Sequence, residues 1–105
     1  MKVLKGILKE ELGNSLRMKK NYERELAKLP KGSLIKKKIR GREYFYLVCR
    51  DKGKVKFIYK GKVSEDRQRK YKNAKELRAR YRKLLSEVKK QIRFLRTALR
   101  GKESV

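Results

Sequence analysis

Apolar positions along this chain follow three different rhythms. Between Lys2 and Leu29 they fall at Leu4, Leu8, Leu12, Leu16, Met18, Tyr22, Leu26 and Leu29. Steps of three and four place most of them on one side of a helix. Gly13 and Asn14 are weak helix formers, placed to kink or divide this element. Ser15 and Lys19 interrupt its seam. Leu29-Pro30-Lys31-Gly32 ends it, because the residue before a proline disfavours the helical region and Gly32 permits a turn.

From Ser33 to Val63 the side chains become aromatic and β-branched, types that suit a pleated surface. The runs are Leu34-Ile35 with Ile39, Tyr44-Phe45-Tyr46-Leu47-Val48-Cys49, and Val55 with Phe57-Ile58-Tyr59. Arg40-Gly41 and Asp51-Lys52-Gly53 separate them as turn signals, and Gly61 closes the last. The prediction is a three-stranded antiparallel meander over 33–63.

Ser64 then opens a long helix over 64–100. It is a favourable N-cap, and Glu65 and Asp66 complement the helix dipole. No Gly or Pro follows until Gly101. Ala74, Leu77, Tyr81, Leu84, Val88, Gln91, Leu95 and Ala98 step alternately by three and four as a heptad seam, widened by Leu85, Ile92, Phe94 and Leu99. About 36 residues at 1.5 Å rise make a rod of roughly 54 Å. Such a stripe requires the first helix, a second copy of the chain, or both. A dimer through Leu77, Tyr81, Leu84, Leu85, Val88, Ile92, Leu95 and Leu99 is expected.

Two-residue loops at Arg40-Gly41 and Lys52-Gly53 would fix the strand register. Ile39 then opposes Arg42, Lys37 opposes Tyr44, Ile35 opposes Tyr46, Val48 opposes Phe57 and Tyr46 opposes Tyr59. Alternation gathers Ile35, Ile39, Tyr44, Tyr46, Val48, Val55, Phe57 and Tyr59 on one face, the expected core side. The other collects Lys36, Lys38, Lys54, Lys56 and Lys60 around Phe45, Leu47, Cys49 and Ile58. A longer second loop would reverse the third strand.

Charge then changes the picture. The 105 residues hold 35 Lys+Arg against 11 Asp+Glu, a net charge of +24. Self-repulsion on that scale calls for a polyanion, and nucleic acid releases counterions when its phosphates are neutralised. Ion-paired surfaces of heat-adapted proteins give a blander origin for many lysines, but they use both signs in comparable number. The lysine face of the sheet is a candidate for covering a duplex, with a solvated outer side and a self-association face as alternatives. Candidate phosphate contacts are Lys36, Lys38, Arg40, Arg42, Lys54, Lys56, Lys60, Lys62, Arg67, Arg69, Lys70 and Arg78. Lysines outnumber arginines on that face, which favours affinity over base readout. Most tyrosines read as amphipathic core-edge residues.

Several chemistries lose their usual residues. The chain has no histidine, the commonest general base and transition-metal ligand. Cys49 stands alone in an apolar run, as a small buried hydrophobe. There is no phosphate-cradling glycine loop and no isolated acid pair for a two-metal site. No cofactor and no small-molecule substrate are expected. No apolar run approaches the roughly 20 residues of a membrane span, and the first twelve residues do not form a secretory signal, so a cytoplasmic protein is expected.

Leu29-Pro30-Lys31-Gly32-Ser33-Leu34, Gly41-Arg42-Glu43-Tyr44-Phe45-Tyr46-Leu47 and Tyr59-Lys60-Gly61-Lys62-Val63 together resemble small prokaryotic, often archaeal, proteins with this order of turn, short sheet and long helix. The hairpin segments also look like parts of transposon-encoded proteins. The resemblance implies a mobile-element or chromosome context and carries no catalytic residue across. In topology alone the order is similar to arm-type DNA-binding domains of integrases.

The expectation is therefore one α+β domain over 1–105: a helix over 2–29, a three-stranded antiparallel meander, and a long helix pairing with the first or with a dimer partner. Its expected role is non-catalytic binding of nucleic acid, DNA ahead of RNA, through the phosphate backbone. A coiled-coil protein-interaction module and an RNA-binding protein are the alternatives.

Overall fold

A computed structural model of the chain describes residues 2–103. The order is α1 (Lys2–Lys28), β1 (Ser33–Ile39), β2 (Arg42–Asp51), β3 (Lys54–Gly61) and α2 (Glu65–Glu103). The strands form one antiparallel sheet in the order β1-β2-β3, so the α+β architecture follows the sequence pattern. Contacts gather in two compact units. One joins α1 to α2 from Ala79 onward, and the other is Leu29–Arg78. Among the described residues no helix is long and apolar enough to cross a membrane.

In the first unit the two helices pair along heptad seams. The α2 seam reads Tyr81, Leu85, Val88, Ile92, Leu95 and Leu99, and its last four members are buried. This corrects the expected phase: Gln91 is exposed, and Ile92 takes the seam position. The shifted reading keeps the alternation of four and three while burying an apolar side chain instead of an amide. Leu77 is exposed, and Leu84 is half-buried. Much of the stripe expected to bind a second copy is thus covered within the chain by α1.

α1 supplies Leu8, Leu12, Ser15, Lys19, Tyr22 and Leu26 at the complementary spacing. The Tyr22 and Tyr81 rings meet at 6.1 Å between centroids. Gly13 and Asn14 do not divide the helix, and the Arg17 guanidinium donates to Asn14 Oδ1. Ser15 does not interrupt the seam but is its most buried member, 1% exposed, with a hydroxyl that has no hydrogen-bond partner.

In the second unit the register agrees with that expected from two-residue loops as far as the Tyr46–Tyr59 pair. Arg40 and Gly41 have φ of 53° and 78°, and Lys52 and Gly53 have 51° and 78°. Two consecutive positive φ values are the signature of the type I′ hairpin, whose twist matches that of its strands. One bulge falls at the far end of the β2–β3 ladder. Tyr46 pairs with Tyr59 and Phe45 with Gly61, leaving Lys60 as the extra residue.

The core side of the sheet is the reverse of that expected. Phe45 and Leu47 are buried, at 8% and 9% exposure. They share their face with Leu34, and Leu34 and Phe45 line a groove of about 600 Å³ with Gln68, Tyr71 and Lys72 of α2. One helix covers only the middle of such a face. The lysines around that middle, Lys36, Lys38, Lys54 and Lys56, stay exposed, as long cationic stems at the rim of an apolar patch do.

Local caps lock this unit. Ser64 Oγ accepts from the Arg67 N–H at 3.3 Å, and the Gln68 side chain returns to the Val63 carbonyl at 2.9 Å. The Arg78 guanidinium donates to the Pro30 and Gly32 carbonyls. Gly32 itself has φ 93°, and an added Cβ would lie 2.8 Å from the Val48 carbonyl oxygen.

Three substitutions at two positions test this packing by urea denaturation. Ser15→Ala removes an unpaired buried hydroxyl and is expected to raise stability by about 1 kcal/mol, whereas Ser15→Leu overfills the seam and lowers it by about 1–3 kcal/mol. Gly32→Ala combines left-handed strain with a backbone clash and is expected to cost about 2 kcal/mol or more. An unchanged midpoint for Ser15→Leu would show that the seam is loose.

Candidate nucleic-acid interface

Strand alternation puts Ile35, Lys37 and Ile39 of β1, Arg42, Tyr44, Tyr46, Val48 and Arg50 of β2, and Val55, Phe57 and Tyr59 of β3 on the second face of the sheet. That face meets solvent. Phe57 is 60% exposed and Tyr59 is 58% exposed, with Ile39 and Val55 also open. Tyr59 contacts two other rings, 5.3 Å from Tyr46 in a T-shaped contact and 6.2 Å from Tyr44 at a tilt of 40°. Lys37 Nζ lies 5.1 Å from the Tyr46 ring centroid, a cation–π contact. Ile39, Arg40, Arg42, Tyr44, Tyr46 and Tyr59 line an open hollow of about 790 Å³ on this side.

The electrostatics of the two faces differ sharply. The strands carry two acids, Glu43 and Asp51, and both project to the helix side. There Glu43 pairs with Lys36 at 3.2 Å and Asp51 with Lys56 at 2.9 Å. The aromatic face is left with Lys37, Arg42 and Arg50 and no carboxylate. Arg40 adds a cation at the hairpin tip, in a left-handed conformation that costs an ordinary residue about 1–2 kcal/mol. Asparagine or glycine would hold that turn with less strain, so a cation is kept there against backbone preference.

The sequence-derived phosphate contacts therefore divide. Arg40 and Arg42 belong to the aromatic side. Lys36, Lys38, Lys54 and Lys56 lie on the helix side, with Lys36 and Lys56 paired to acids. Lys60 is the bulge residue, and Lys62 follows β3. Arg67, Arg69 and Lys70 are exposed in the first turns of α2, where Arg69 pairs with Asp66 at 2.8 Å. Arg78 is half-buried and spent on backbone carbonyls. Lys37, Arg50 and the exposed rings were missed. Their signal was present in the alternation, because Glu43 and Asp51 share a parity with the lysines and leave the opposite parity free of acids. Among the described residues no cluster of Cys, Asp or Glu could hold a metal ion.

Residues 8–70 match the sequence family described as a domain of unknown function, DUF6788. The match spans most of α1, the whole sheet and the first turns of α2. No curated protein and no solved structure matches the chain.

The strain at the hairpin tips is measurable. Arg40→Asn and Lys52→Asn are each expected to raise stability by roughly 0.5–1 kcal/mol, since asparagine followed by glycine favours the type I′ turn. A fall in the thermal midpoint for both variants would contradict the turn assignment.

Proposed function

The chain belongs to the DUF6788 family, and we propose that it is a non-catalytic nucleic-acid-binding protein, DNA before RNA, that grips its ligand through the phosphate backbone with low sequence specificity. The observation that carries this reading is the acid-free cationic face of the sheet. Lys37, Arg40, Arg42 and Arg50 surround exposed apolar and aromatic groups there, while both strand acids are withdrawn to the other side. Cations reach phosphates, and rings and aliphatic groups rest against sugars and bases. The net charge of +24 supports the same reading, because a polyanion relieves the chain's self-repulsion. Exposed Lys62, Arg67 and Lys70 supply further cations for longer ligands.

The test is fluorescence anisotropy against labelled DNA across a salt series. Neutralising four phosphates would give a slope of log affinity on log salt of about −3 to −4, and further contacts would steepen it. Arg42→Gln is expected to flatten that slope by about one, with little dependence on sequence. Weak binding at moderate salt, or a slope near zero, would overturn the proposal.

A further inference from the structure

Resting on the reading above, we propose that the ligand of the aromatic face is single-stranded nucleic acid, its bases stacked on Tyr59 and Phe57 and its phosphates held by Lys37, Arg42 and Arg50.

Exposure of the rings is the first ground. Phe57 and Tyr59 each leave more than half their surface in water, on the sheet's acid-free side. A planar π partner that carries negative charge would cover both the rings and the cations. A nucleotide combines these two properties, and base–aromatic stacking tolerates any sequence.

Spacing is the second ground. Phe57 and Tyr59 are two residues apart on β3, so their Cα atoms are about 6.8 Å apart along the strand. Successive bases in a duplex strand rise by only about 3.4 Å. Bases seated on both rings must therefore be drawn out of the continuous stack, and in a duplex their faces are not accessible. Tyr46 is engaged by Lys37 and by its T-shaped contact with Tyr59, so it serves as a positioning residue that props Tyr59 for stacking.

Charge also decides against a second copy as the occupant. A two-fold self-interface would bring the same patch onto itself. Lys37, Arg40, Arg42 and Arg50 would then face their own kind with no carboxylate on the patch to pair with.

The test uses the full chain, labelled oligothymidylate and oligouridylate, and a mixed-sequence duplex, by anisotropy at one moderate salt concentration. Tighter binding of at least one single strand than of the duplex is expected, and comparing the two homopolymers separates a DNA source from an RNA source. Tyr59→Ala and Phe57→Ala are each expected to weaken single-strand binding about tenfold, with duplex affinity nearly unchanged. Tyr59→Phe keeps the ring and should bind as the parent does. The chain has no tryptophan, so its tyrosine emission provides a second readout. Single strands should quench that emission in the parent and less in Tyr59→Ala. Salt-dependent duplex binding with no loss of single-strand affinity in either alanine variant would overturn the stacking proposal while leaving electrostatic binding standing. Absence of binding to all three ligands would remove both. A parent chain that sediments as a dimer, with Phe57→Ala and Tyr59→Ala monomeric, would assign the face to self-association and overturn the proposal.

Discussion

Two-residue turns at Arg40-Gly41 and Lys52-Gly53 set the parity of every side chain in the sheet. A loop one residue longer would transfer a whole strand's side chains to the other face. With the turns as they are, Glu43 and Asp51 come to the same side as Lys36 and Lys56, and the ion pairs form there. Tyr44, Tyr46, Phe57 and Tyr59 come to the other side with Lys37, Arg42 and Arg50. The candidate interface is a consequence of that sorting, and the backbone accepts left-handed strain at Arg40 and Lys52 to achieve it.

The helical pairing meets a different constraint. A chain with this excess of positive charge cannot rely on surface ion pairs, which contribute little when exposed. The seam of Val88, Ile92, Leu95 and Leu99 against α1 supplies apolar burial instead. The stripe that could have driven a coiled-coil dimer is largely used inside the chain, which weakens the reading of the protein as a coiled-coil interaction module. A polyanion bound to the folded state would add stability by mass action while reducing self-repulsion.

The misassigned sheet face has an instructive cause. Counting apolar side chains favours the tyrosine side as core, because it holds eight apolar or aromatic positions against five on the lysine side. Burial depends instead on what a single helix can cover. Phe45 and Leu47 on the central strand suffice for that contact, and lysine stems can border it without losing solvation. Acid placement was the better guide to the solvent face, since Glu43 and Asp51 occupy the parity of their lysine partners.

Local rules in the sequence determined the elements, their order, the helix cap at Ser64, both hairpin turns and the strand register. Each depends on a few neighbouring residues: a hydroxyl before a helix, a glycine at positive φ, an alternation of side chains. Tertiary structure alone decided which sheet face is buried, that Ile92 and not Gln91 enters the seam, that Ser15 is a buried seam residue, and that Arg78 is spent on Pro30 and Gly32. These outcomes depend on which distant element covers a surface and how closely it approaches, a competition among alternatives that local patterns satisfy equally well.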